Sequence, residues 1–322
     1  MRAAICRQYG PPEVIEVGDF ADPEPAAGEL VVAVRSAAVN FPDVLTIANR
    51  YQRSTPLPFV PGSEFGGVVV ESSIDSGFAA GDRVYGTVAT GAFAEYVTVP
   101  AARVQRIPDG VDDDTAAGFA VAYTTAYHAL CTATAIRKGE WVVVLGAGGG
   151  VGSAAIDLAH HLGGRVIAAA SGDNKLTLCR RRGAEVALDY HTEDLRSRIK
   201  EITGQGAHVI IDPVGGRSSE SALRSLRRGG TFVTVGYASG EIPAIPLNLV
   251  LLKGITITGV DVGTMPVHQP MAESRGRAEL HRMLSDGVLA PYVDSVHPLA
   301  ETTKALRRVA DRQALGKIII RP

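Results

Sequence analysis

The chain has 322 residues, 46% of them apolar and 20% charged, with a formal net charge of −2. These proportions fit a globular protein with room for two domains, and they exclude a disordered or collagen-like chain. Lysine and arginine are interspersed with acids, so no basic run is available to follow a nucleic-acid backbone or an anionic membrane, and neither is expected as a partner.

The opening MRAAICRQYG lacks the uninterrupted apolar segment of a secretory signal, and no stretch approaches the length of a membrane span. The expected location is the cytoplasm. Cys6, Cys131 and Cys179 are odd in number and isolated, which leaves neither a disulfide framework nor a Cys-x-x-Cys metal site.

Up to about residue 120 the pattern is one of short β-type runs, Leu30 to Val34, Gly67 to Glu71 and Ala94 to Val99, broken by Pro- and Gly-rich turns. It predicts an antiparallel, barrel-like domain. An Ala-rich, helix-compatible run follows over Thr115 to Ala135, and from Trp141 strands alternate with helices. The predicted strands are Trp141 to Leu145, Val166 to Ala170, Val186 to Leu188, His208 to Asp212, Thr231 to Val235 and Ile255 to Val260. Amphipathic stretches such as Gly152 to Leu162 and Asn174 to Arg182 lie between them. Such alternation builds a doubly wound parallel sheet, because parallel strands need crossover connections. The tail returns to mixed elements and ends in the apolar run Ile318 to Ile320. The expected organisation is therefore α/β, with a first domain of residues 1–121 and 261–322 and a second of 122–260.

The first strand of the second domain runs into the glycines of VVLGAGGGVG, Val143 to Gly152. Between a strand and a helix, glycines let the backbone approach a pyrophosphate that rests on the helix N-terminus. Gly148, Gly149, Gly150, Val151 and Gly152 are the candidate cradle. The strict Gly-x-Gly-x-x-Gly pattern is met only with Ala147 in its first place. At the end of the second strand an NAD site usually carries an acid for the adenosine ribose. Here Ala169 and Ala170 stand there, followed by Ser171 and Lys175, a hydroxyl and a cation suited to a 2′-phosphate, with Arg180 to Arg182 further on. The competing reading makes Ser171 a helix cap and the basic residues a solvated face. The missing acid favours NADPH.

The stretches Ala37 to Glu71 and Ala80 to Gly86, with GAGGGVG, IDPVGG at Ile211 to Gly216 and GKIII at Gly316 to Ile320, resemble the medium-chain dehydrogenase/reductase superfamily. Within it the chain is most similar to the zinc-independent, zeta-crystallin-like quinone oxidoreductases, and the likeness spans essentially the whole length. The resemblance implies a GroES-like β-barrel domain plus a Rossmann domain, with the site in the cleft between them, and a homodimer in which Ile255 to Val260 is a candidate edge strand. Zinc alcohol dehydrogenases of the superfamily carry a cysteine where this chain has Asn40, a histidine at Ser63 and a second cysteine near Val121. None of these three residues supplies a thiolate or imidazole. No metal is expected, and the eight histidines, of which His160 and His161 are adjacent on one helix, are scattered.

The branch shares Asn-x-x-Asp followed by a tyrosine, matched by Asn40, Asp43 and Tyr51, which are the candidate catalytic residues. The resemblance puts Tyr51 near the substrate, Thr125 close to the nicotinamide, Tyr190 beside the adenosine, and Gly236, Tyr237 and Val260 around the nicotinamide ring. Capping of a helix is an alternative for Asn40 and Asp43, and packing on the barrel is one for Tyr51. Without a metal to polarise a carbonyl, the acceptor must already be a good electrophile. The expected reaction is NADPH-dependent reduction of a quinone or related conjugated carbonyl, with Tyr51 donating to the developing oxyanion and Asn40 orienting the acceptor oxygen. Two alternatives remain open from sequence: a 2-enoyl thioester or alkenal reductase, for which Arg50 and Arg53 are the nearby basic residues, and a non-catalytic NADPH-binding protein.

Overall fold

The computed structural model describes residues 1–73 and 75–322. The chain forms two compact units, one of Met1–Val121 with Ala290–Pro322 and one of Ala122–Leu289. In chain order the first unit contains β1 (Arg2–Cys6), β2 (Ile15–Asp19), β3 (Glu29–Val39), α1 (Phe41–Ile47), β4 (Glu64–Ser72), β5 (Arg83–Thr87), β6 (Tyr96–Pro100), β7 (Val104–Arg106) and α2 (Asp113–Ala117). Helix α3 (Ala120–Tyr127) leads into the second unit and continues as one π-type turn over His128–Thr132.

The second unit then alternates β8 (Trp141–Leu145), α4 (Gly150–His161), β9 (Arg165–Ala170), α5 (Asp173–Arg181), β10 (Val186–Asp189), α6 (Leu195–Thr203), β11 (Ala207–Asp212), α7 (Arg217–Arg224), β12 (Leu226–Thr234), α8 (Asn248–Lys253) and β13 (Thr256–Gly259). Two helices follow, α9 (Met265–His268) and α10 (Pro270–Ser285). The chain returns to the first unit with β14 (Val293–Pro298), α11 (Thr302–Ala310) and β15 (Lys317–Arg321).

The six strands of the second unit are all parallel and stand in the order β10-β9-β8-β11-β12-β13. This is the doubly wound order in which the first strand made lies at the centre. Every residue of β8 is buried, as a strand covered on both faces requires. The apolar residues Val143, Leu145, Ile167, Ile210 and Phe232 form the core with helices such as α6 and α7. Each predicted strand of this sheet is present, with bounds that differ by a few residues.

The first unit carries a seven-stranded sheet in which β3 is the longest strand and pairs with β4, β6 and β15, all antiparallel. One pair departs from the antiparallel expectation: β14 and β15 run parallel, joined by α11. The return to this unit also comes later than the sequence suggests, at Ala290 rather than 261. Helix α10 is the reason. It buries Leu280, Met283 and Leu284, and Tyr127 on α3 donates a hydrogen bond to Glu279 at 2.8 Å. Among the described residues no helix is long and apolar enough to cross a membrane.

Candidate active site

Because the six strands of the second unit run the same way, the turns that follow them gather at one edge of the sheet, where open α/β sheets hold their ligands. The first turn folds back on itself after β8, with the Gly149 N–H donating to the Gly146 carbonyl at 3.0 Å. Gly149 is the N-cap of α4, and the amides of Gly150, Val151 and Gly152 precede the first back-bonded residue, Ser153. A Cβ on Gly152 would stand 2.3 Å from the Gly146 oxygen, so only glycine lets the helix start this close to the turn. Gly149, by contrast, has only the Gly146 oxygen nearby, at 3.5 Å, which leaves its outer side open. A close-approach backbone at a helix N-terminus fits a pyrophosphate.

At the next turn β9 ends in the buried Ala169 and Ala170. Ser171 is half-buried and does not cap α5; Gly172 takes that place with a φ of 78°. The stem of Lys175 lies against Gly148, with its Cγ 2.6 Å from where a Cβ would be. Arg182 is engaged internally, paired with Asp157 at 3.4 Å and donating to the Tyr123 hydroxyl at 3.0 Å, whereas Arg180 and Arg181 are exposed. Tyr190 follows β10, its N–H directed at the Ala170 carbonyl at 3.3 Å. Gly236 and Tyr237 follow β12, and Val260, after β13, donates to the Thr234 carbonyl at 3.1 Å. The fold thus brings Gly148 to Gly152, Ser171, Lys175, Tyr190, Gly236, Tyr237 and Val260 to one sheet edge. Thr125 is buried on α3, away from the strand ends in sequence.

Two acids to which the sequence pattern assigns no role shape this edge. Asp212, at the end of β11, accepts from the N–H groups of Val214 and Gly215 at 2.8 and 2.9 Å and from the Ser219 hydroxyl at 2.5 Å. Asp189 accepts from the N–H groups of His191 at 2.9 Å and Gly172 at 3.3 Å, and these bonds hold its carboxyl below the usual carboxylate range.

The first unit holds a buried polar cluster. Asn40 is the N-cap of α1, and Asp43 at the third helical position takes its N–H at 2.8 Å, so the carboxylate does serve as a cap. The Asn40 carboxamide nitrogen donates to the Ala38 carbonyl at 3.3 Å and to Glu64 at 3.1 Å, and its oxygen accepts from Lys317 at 2.6 Å. Lys317 also pairs with Glu64 at 2.9 Å, both side chains being almost fully buried, and the other Glu64 oxygen accepts the Val121 N–H at 2.7 Å. Burial pushes the Asp43 carboxyl up to about 7, against the hydrogen bonds from Asn40 and Ser63 and the charge of Lys317, which act to lower it. Tyr51 follows α1 in a bend and is 36% exposed.

Glu64 and Lys317 were also missed from sequence. The available signal was a charge set within apolar strand sequence, SEFGGVVV and GKIII. Among the described residues no three His, Cys, Asp or Glu side chains gather into a group that would hold a metal.

Comparison with known proteins matches residues 26–109 to the alcohol dehydrogenase GroES-like domain and residues 150–275 to the zinc-binding dehydrogenase family. The chain is 36% identical to quinone oxidoreductase-like protein 2 of Mus musculus over 99% of its own length and 91% of that protein. Two solved structures align with all of both chains: a mycobacterial protein complexed with NADPH, at 30% identity and a TM-score of 0.93, and Escherichia coli quinone oxidoreductase complexed with NADPH, at 26% and 0.92. The chain belongs to the medium-chain dehydrogenase/reductase superfamily, with a GroES-like domain and a Rossmann domain. Within it the chain falls in the zinc-independent, quinone oxidoreductase-like branch, whose members are oxidoreductases that take a nicotinamide cofactor.

Proposed function

We propose that this protein reduces quinones or related conjugated carbonyls with NADPH, by hydride transfer without a metal. The observation that carries the reading is the cofactor edge: an open glycine turn at a helix N-terminus, no acid at the end of β9, and the Lys175 stem laid against Gly148. When bound, NADPH supplies the hydride from C4 of its nicotinamide.

The chain's own residues then divide the work. The turn over Gly148 to Gly152 holds the pyrophosphate through backbone amides, and Ser171 and Lys175 take the 2′-phosphate. Thr125, Gly236, Tyr237 and Val260 hold the nicotinamide end and Tyr190 the adenosine end. In the first unit Tyr51 donates a hydrogen bond or proton to the oxygen on which charge develops. The expectation that Asn40 orients the acceptor oxygen is modified, because both hydrogens of its carboxamide are spent on Ala38 and Glu64. Its part is to fix the start of α1.

The protein acts as a homodimer in the cytoplasm. Support for the dimer is β13, the last strand of the sheet with no partner on its outer side among the described residues, together with Leu247, Leu251 and Leu252 exposed on the preceding α8 and its N-cap. Support for a reducing compartment is the three free thiols. The test of the whole reading is to follow NADPH and NADH consumption against ortho- and para-quinones, alkenals and enoyl thioesters. Preferred turnover of quinones with NADPH is expected. A preference for NADH would overturn the reading of Ser171 and Lys175, and turnover of enoyl thioesters alone would replace the acceptor.

A further inference from the structure

The Asn40 carboxamide and the Glu64 carboxylate together tie four chain segments into one buried hydrogen-bonded cluster. The end of β3 gives the Ala38 carbonyl, β4 gives Glu64, β15 gives Lys317, and the residue just inside α3 gives the Val121 N–H. An ion pair this deeply buried is weak support for stability, since two charges lose their water to form it. Asn40, which the pair holds, stands one helical turn before Asp43, whose carboxyl accepts the Asn40 N–H and is itself buried. The charged groups set against Asp43 are Glu64 from β4 and Lys317 from β15, with the Ser63 side chain hydrogen-bonded to it. Helix α11 packs on α1, but its charged residues are engaged elsewhere: Lys304 with Glu301, Arg307 with Glu13 and Arg308 with Asp294.

Resting on the reductase reading above, we propose that Glu64 and Lys317 are positioning residues of the reduction, a buried ion pair that clamps the Asn40 carboxamide and biases the proton that burial already favours on the neighbouring Asp43 carboxyl. The chemistry gives this a use. A hydride adds one proton and two electrons to the acceptor, so a quinone needs one further proton to become a hydroquinone. That proton leaves a donor on the protein, which regains it from solvent. A carboxyl kept protonated near neutral pH is a store for it, and the pair acts on it in opposite senses: Glu64 favours the protonated form and Lys317 the ionised one.

The test uses the isosteric Glu64→Gln and the double variant Glu64→Gln with Lys317→Met, in the full chain. Infrared spectra across pH, taken as each protein minus its Asp43→Asn counterpart, read the protonated carboxyl of residue 43 whether or not any acceptor is turned over. Glu64→Gln leaves Lys317 unopposed and should lower the midpoint by about half a unit or more, and the double variant should bring it back toward the parent value. The alkaline limb of kcat/KM with a quinone should move with it, while NADPH affinity stays unchanged. An unmoved midpoint overturns the proposal, as does a midpoint that moves while the kcat/KM limb stays in place. Absence of turnover in the parent protein refutes the reductase reading instead, and the infrared arm still decides what the pair does to Asp43.

Discussion

Lys175 and Gly148 lie against each other so closely that a side chain at position 148 would force the lysine to move: an added Cβ would meet the lysine Cβ, Cγ and Cδ at 2.7, 2.6 and 2.9 Å. The contact joins the first turn of the cofactor edge to α5, and it sets the lysine stem on the cradle itself. Lys175→Ala should weaken NADPH roughly 10- to 150-fold, the loss of about 1.5–3 kcal/mol for a charged hydrogen bond, with NADH affinity unchanged. Titration of each cofactor against intrinsic fluorescence checks this, and equal losses for both would remove the 2′-phosphate role.

Gly152→Ala tests the turn from the other side. The Gly146 oxygen and Ala147 Cα, 2.3 and 2.7 Å from the new methyl, are backbone and cannot rotate away. We expect a cost of about 1–3 kcal/mol in stability, as for overpacking, and a larger loss of cofactor binding. A melting curve with and without NADPH separates the two, and a variant that melts and binds like the parent would show the turn to be tolerant.

Tyr51→Phe removes one hydroxyl from a residue 36% exposed and outside the buried core. A drop in kcat/KM of about 10²- to 10⁴-fold is expected if the hydroxyl is the proton donor, with the melting temperature and NADPH affinity held. Full activity on every acceptor the parent reduces would exclude that role.

Asp43 makes stability depend on pH in a definite sense. Its carboxyl is raised from 3.8 to about 7 in the native state, so between those values the folded chain binds the extra proton. The contribution is complete below pH 3.8 and is lost as pH rises through about 7. From pH 5 to 8 this group should cost roughly 2–3 kcal/mol. Asp43→Asn should flatten that dependence; denaturant unfolding of both proteins at several pH values shows the difference, and parallel curves would contradict it.

The exposed edge β13 is the place to test assembly. Ile257 on that strand is 38% exposed and Leu251 on α8 is 80% exposed. Ile257→Lys, a charge of the kind that protects free edges, should convert a dimer to a monomer in light scattering, and an unchanged mass would place the interface elsewhere.

The second unit could be read from sequence strand by strand, because β8 is an uninterrupted apolar run, β9 and β11 carry long apolar stretches, and each is followed by a turn-forming residue. The candidate cofactor residues other than Thr125 follow from it, since a parallel sheet delivers every strand end to one edge. The return of the chain could not be read, because the apolar stripe of α10 says that it packs, not which core it packs on. Glu64 and Lys317 are 253 residues apart and Lys317 and Asn40 are 277 apart, separations at which no local pattern links one residue to another. Asp43 was visible as a type and a spacing, but its burial, which raises its carboxyl, and the distant pair that acts on it are set by tertiary packing.

The order in which the sheet of the first unit is assembled has a consequence for synthesis. Strand β15 lies between β14 and the long β3, and it is translated after the whole second unit. The parallel sheet can fold as it leaves the ribosome, while the Ala37–Val39 end of β3, beyond the stretch that β6 covers, waits for its partner through the synthesis of more than half the chain. The strand that completes that end arrives last, bringing Lys317 to Glu64, so the buried cluster can form only after the whole chain has been made.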